Sequence, residues 1–202
     1  MKILGITGGT GTGKSTVTAL LKKKGCEIID ADEISKRLED KGTGVFDSIV
    51  KHFGAEILDG NGEIDRKRLA GIVFADKNER LILNKIVHGG VAEEIYKKVE
   101  ILRRRGAEYA VLDVPIPVEK GFFDTADVIW AVCANDDLRV ERLMKRSGLT
   151  EEEAESRIAA QLSNREYSEL ADAVIDNEGS LEDLEALVDY EFDRTVKSLQ
   201  KG

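Results

Sequence analysis

A three-layer α/β fold built on a five-stranded parallel sheet is what this sequence predicts, and three observations carry the prediction. Five short apolar runs, Ile3–Thr7, Glu27–Asp30, Tyr109–Asp113, Asp127–Ala134 and Ala173–Asn177, end in glycine, acidic or other small or polar residues and are separated by stretches of helical periodicity. The glycine-rich segment Gly8-Gly9-Thr10-Gly11-Thr12-Gly13-Lys14-Ser15 stands between the first run and a helical stretch, Thr16 to Lys24. Between the second and third runs lie about 60 residues, more than a crossover needs, so a helical insert is expected there.

The first strand and its loop set the chemistry. The spacing G-x4-G-K-S is that of a P-loop, in which glycines bring backbone N–H groups close to a phosphate. Lys14 supplies a point charge for the β- and γ-phosphates, and the Ser15 hydroxyl is a candidate Mg²⁺ ligand. A helix opening at that point turns its positive end to the same oxygens.

The second strand ends in Asp30-Ala31-Asp32, at the rim where open parallel sheets bind ligands. Asp32 suits a general base for an attacking hydroxyl, and Asp30 a metal or hydrogen-bond partner. Capping of the next helix, Glu33 to Glu39, explains either acid equally well.

From Gly42 to about Arg105 the pattern is helical and charged. Val45, Ile49 and Phe53 share a face, Leu58 to Ile64 reads as a tight turn, and Leu69, Ile72, Val73 and Phe74 form a further stripe. Asp76 or Asn78 can cap the segment through Val87, which His88 with Gly89-Gly90 is expected to end, and a longer helix starts near Val91. Inserts in this position usually hold an acceptor. A lone histidine at a helix end is more often a cap than a catalyst.

The third strand ends in Asp113, a second metal candidate, directly or through water. Pro115 and Pro117 stiffen the loop to Glu119, so Pro115 and Glu119 are candidates for the acceptor pocket. Trp130 in the fourth strand reads as core. Arg139, Arg142 and Arg146 share a face of the next helix, and Thr150-Glu151-Glu152-Glu153 has capping-box form. Two such helices look like a lid whose arginines close onto phosphates, or else like a charged solvent face. After the fifth strand, the turn at Asn177 either holds adenine through its backbone or merely reverses the chain. The final helix buries Leu184, Leu187, Val188 and Phe192.

Composition bounds the rest. With 42% hydrophobic and 34% charged residues in 202, the chain is an ordinary globular protein with one core. The formal net charge of -9 argues against a nucleic-acid partner. Only Met1 and Lys2 precede the first strand, no secretory or membrane-spanning segment is expected, and the default compartment is the cytoplasm. Cys26 and Cys133 lie in or beside apolar runs and read as small core residues. The expected organisation is a single domain comprising a core (about 1–30, 107–135 and 168–202), an acceptor-binding insert (about 31–106) and a lid (about 136–167).

Together the motifs resemble bacterial dephospho-coenzyme A kinases over nearly the whole chain. The resemblance rests on Ile6 to Thr16, Ile28 to Asp32, Arg66 to Leu69, Ile72 to Phe74, Leu83 to His88, Val114-Pro115, Arg157 to Gln161 and Ala171 to Asn177. It implies a P-loop kinase-like fold and ATP-dependent, Mg²⁺-dependent phosphorylation of the ribose 3′-hydroxyl of dephospho-coenzyme A. It also implies a small-molecule substrate, dephospho-coenzyme A; the chain is expected to be a monomer or weak homo-oligomer. By position the resemblance makes Asp32 the base, Gly11, Thr12, Gly13, Lys14, Ser15 and Thr16 the phosphate cradle, and Arg142 the lid arginine. Gly89 and Pro117 depart from the family pattern, where proline and leucine are common. Two other readings stay open on the residues alone: a kinase of another small hydroxylated metabolite, and a GTP switch. The latter would need Asn-Lys-x-Asp, whereas Asn84-Lys85-Ile86-Val87 lacks the aspartate.

Overall fold

Along the chain the elements are β1 (Lys2–Thr7), α1 (Lys14–Lys23), β2 (Glu27–Asp30), α2 (Ala31–Leu38), α3 (Gly44–Phe53), α4 (Arg66–Ala75), α5 (Lys77–Arg104), β3 (Tyr109–Asp113), β4 (Val128–Cys133), α6 (Asp136–Ser147), α7 (Glu151–Ala159), α8 (Asn164–Glu169), β5 (Ala173–Asp176) and α9 (Leu181–Leu199). The computed structural model describes residues 1–199, except for the side chain of Glu119. Two units divide the chain: Met1–Ile29 with the chain from Glu100 onward, and Asp30–Val99.

In the first unit the strands form one parallel sheet in the order β2-β3-β1-β4-β5. β1 is central, and its unbroken apolar run is what a strand covered on both faces requires. Leu4 and Ile6 join Val17, Leu20 and Leu21 of α1 and Leu184 and Val188 of α9 in one core layer. On β4, Ala131 and Cys133 pack with Tyr167 of α8. The register sets Ile6 beside Asp113 and Trp130, and Cys133 beside Asp176. The carboxyl ends of the central strands therefore surround the turn that follows β1.

The second unit is helical, around Val45, Ile49, Phe53, Ile57 and Leu69. The tight turn expected after Leu58 is present: Leu58 bridges Ile64, and Asp59 Oδ1 accepts from the N–H groups of Asn61 and Glu63.

Three boundaries differ from the sequence reading. α1 starts at Lys14, not Thr16, because Gly13 serves as its N-cap and the helix opens inside the motif. α2 starts at Ala31, capped by the Asp30 carboxylate on Glu33 N–H at 2.9 Å. The cap role thus falls to Asp30, and Asp32 lies in the helix's first turn.

The third difference is α5, which runs unbroken for 28 residues through His88-Gly89-Gly90. A mid-helix glycine costs only about 1 kcal/mol, less than burial of the apolar residues on either side returns. Gly90 has a steric reason to be there, since a Cβ would collide with Val45 of α3. His88 is therefore an exposed residue of a helix interior, not a helix end. The helix itself begins where expected, with Asp76 Oδ1 accepting from Asn78 N–H at 2.7 Å.

Candidate active site

The loop between β1 and α1 is folded onto itself. Thr12 Oγ1 donates to the Gly9 carbonyl at 2.8 Å, and the N–H groups of Thr16 and Val17 donate to the Gly13 carbonyl at 2.9 and 3.2 Å. Gly13 has φ 89°, a conformation that side-chain-bearing residues avoid, and a Cβ there would meet the Asn177 amide. The N–H groups of Gly11, Gly13, Lys14 and Ser15 have no acceptor among the described residues. Unpaired donors at a helix N-terminus, with the helix dipole behind them, make an anion-binding concavity.

Lys14 Nζ is ion-paired with Asp113 Oδ1 at the end of β3, and Thr18 Oγ1 donates to Asp113 Oδ2 at 2.7 Å. The Asp113 carboxylate is buried and both of its oxygens are engaged. Ser15 is exposed, and its hydroxyl has no partner among the described residues. Both groups offer hard oxygen donors of the kind Mg²⁺ takes; the Ser15 hydroxyl is free, whereas both Asp113 oxygens are engaged by Lys14 and Thr18. No cluster of three or more His, Cys, Asp or Glu that could hold a metal occurs among the described residues.

The outer side of the loop is braced by residues far along the chain. Arg142 Nη2 donates to the Asn177 carbonyl at 3.0 Å, and its Nη1 lies 3.4 Å from the carbonyls of Gly11 and Thr12. Asn177 is buried, and its Nδ2 donates to the Thr12 carbonyl at 2.8 Å. Arg139 Nε donates to the Thr10 carbonyl at 2.9 Å, while Gln161 Oε1 accepts from Thr10 N–H at 2.7 Å. Arg146 is exposed and makes no hydrogen bond or ion pair among the described residues.

The first unit thus gathers Gly11 to Thr16, Asp113, Arg142 and Asn177 around one loop. Pro115 follows β3, with its carbonyl accepting from Tyr167 Oη at 3.2 Å. The Glu119 side chain lies outside the described residues. Asp32 and His88 belong to the second unit, and both are exposed.

Sequence reasoning overlooked three contributors to the loop's setting. Thr18 stands one helical turn past Lys14 and so reaches the same carboxylate, a spacing that could have been noticed. Arg139 was grouped with Arg142 and Arg146 as a cation of a lid face, yet it is buried against the loop. Gln161 sits past the end of α7, in the stretch Arg157 to Gln161 that carries the family resemblance, but its position gives no sign of its contact with Thr10. The helix α8 was also unforeseen, although Ser163 and Glu166 repeat the capping box of Thr150 and Glu153.

A parallel α/β sheet carrying a phosphate-binding loop on its central strand, with a lysine, a hydroxyl and a buried acid gathered there, defines a P-loop kinase. The family model for dephospho-CoA kinase matches residues 2–183. The chain is 46% identical over 189 residues to a dephospho-CoA kinase of Symbiobacterium thermophilum, covering 94% of this chain and 79% of the relative. Its fold is similar to that of TT1252 from Thermus thermophilus, with TM-score 0.76, 34% identity and coverage of 99% and 96%. It is also similar to a dephospho-CoA kinase from Campylobacter jejuni, with TM-score 0.71, 26% identity and coverage of 98% and 99%. The chain belongs to the dephospho-CoA kinase family, whose members phosphorylate dephospho-CoA with ATP in the last step of coenzyme A synthesis.

Proposed function

We propose that the Gly8–Ser15 loop grips the β- and γ-phosphates of ATP, and that Asp32 is the general base toward the ribose 3′-hydroxyl of dephospho-coenzyme A. The observation that carries the reading is the set of unpaired N–H groups on Gly11, Gly13, Lys14 and Ser15 beside the Lys14–Asp113 pair. Lys14 exchanges Asp113 for phosphate oxygens when nucleotide enters, and Arg142, held to the loop carbonyls, adds positive charge next to the transferred group. Ser15 and Asp113 are the residues that would hold Mg²⁺. The ion, when bound, neutralises charge on the β- and γ-oxygens. Asp32 takes the proton from the hydroxyl as its oxygen bonds to phosphorus and the bond to ADP breaks. Catalysis then comes mainly from positioning.

Residues 31–106, His88 among them, act as the acceptor-binding insert, and Pro115 and Glu119 are acceptor contacts of the first unit. The segment 136–167 is the lid. The protein works in the cytoplasm, where free buried thiols such as Cys26 and Cys133 persist, as a monomer or weak homo-oligomer. Its net charge of -9 supports a small-molecule partner over nucleic acid.

Asp32→Asn tests the central assignment. Steady-state kinetics should show kcat lowered by about 10²- to 10⁴-fold, the range for loss of a general base, with KM for ATP little changed. Equal losses in both parameters would mean that Asp32 is structural.

A further inference from the structure

Arg139 is the one large charged side chain among the described residues that is fully buried, at 1% exposure. Its Nη1 pairs with Asp136 Oδ1 at 2.8 Å, but Asp136 keeps 67% of its side chain in water, so the neutralisation is incomplete. Its Nε holds the Thr10 carbonyl. Its Nη2 is buried with no hydrogen-bond partner, and a Cβ on Gly9 would collide with that nitrogen. Burying a guanidinium is costly and leaving one of its donors unpaired costs more. Nothing in the packing of α6 alone accounts for it.

The peptide units that Arg139 touches explain the cost. The Thr10 N–H is taken by Gln161 and its carbonyl by Arg139, so this residue is clamped on both sides. The Gly9 carbonyl is turned to Thr12, whose Oγ1 lies at 2.8 Å. With the carbonyls of Gly9 and Thr10 both engaged, neither takes up the N–H groups of Gly11, Gly13, Lys14 and Ser15 or turns its negative end on an anion bound to them.

We propose that Arg139 is a positioning residue for the nucleotide phosphates, acting through the Gly9–Gly11 limb of the loop. It fixes the limb sterically at Gly9 and electrostatically at the Thr10 carbonyl, and its charge raises the positive potential behind the cradle. The proposal rests on the reading of this loop as the ATP site.

The test is steady-state kinetics with ATP and dephospho-coenzyme A as varied substrates, beside thermal melts. Arg139→Ala should raise KM for ATP at least tenfold while KM for dephospho-coenzyme A stays within twofold, and Arg139→Lys should recover only part of the loss. A KM for ATP within twofold of the parent, or equal rises in both KM values, would overturn the proposal.

Should Arg139→Ala fail to fold, Arg139→Lys and Gly9→Ala carry the test. Gly9→Ala pushes a methyl into the guanidinium and should raise KM for ATP about tenfold. In a folded Gly9→Ala/Arg139→Ala protein the loss should be no greater than in Arg139→Ala alone; losses that multiply would show that the two residues are not coupled and would defeat the idea. Lys14→Ala separates the two levels of inference: undiminished turnover there would remove the ATP-site reading itself.

Discussion

Lys14 and Asp113 form an ion pair with little exposure on either side. Lys14→Ala should lower kcat by about 10²- to 10³-fold, the effect of losing one charge-stabilising donor. The same change strands a buried carboxylate, so it should also cost about 3 kcal/mol in urea unfolding. Adding Asp113→Asn should return part of that stability and none of the turnover. The cysteines give a second residue-level expectation. Burial pushes the Cys26 thiol up to about 11 and raises that of Cys133 as well. The folded protein keeps the Cys26 proton while the unfolded chain loses it, so stability should fall as pH rises from about 9 to about 11, seen as a declining urea midpoint. Iodoacetamide at pH 8 should label neither cysteine until the protein unfolds. Legibility at this scale followed sequence distance. The phosphate loop occupies eight consecutive residues, so its spacing alone announced it. Arg139 and Gln161 meet Thr10 across 129 and 151 residues, and no periodicity carries such a contact.

At the scale of elements, adjacent glycines in α5 allow a test of sign. Gly89 has open space around its Cβ position, so Gly89→Ala should stabilise by roughly 0.5–1 kcal/mol through helix propensity. Gly90→Ala gains the same propensity but drives a methyl into Val45, and should be net destabilising by about 1–3 kcal/mol. Urea titrations of the two variants should move in opposite directions. The pair also shows why this helix was misread: His88-Gly89-Gly90 has the form of a C-terminus, and only the partner helix α3 reveals that one glycine is there for close packing. α8 shows a different failure. Its six residues are too few for a periodicity, and its cap was the one available sign.

For the molecule as a whole, nucleotide binding and folding are linked. Saturating Mg-ATP at a hundredfold over its dissociation constant should add about 2.7 kcal/mol, a rise of several degrees in Tm by differential scanning fluorimetry. Lys14→Ala should abolish that rise. The five-stranded sheet with its loop and flanking helices was readable because each apolar run stops at a glycine, an acid or another small or polar residue. The exact seams were not, because capping and close packing are settled by partners elsewhere in the chain. The central place of β1 has a further consequence. It precedes both of its neighbours by a long stretch of chain, since β3 and β4 begin only at Tyr109 and Val128. The centre of the sheet therefore closes only through contacts distant in sequence, the kind that form slowly in folding.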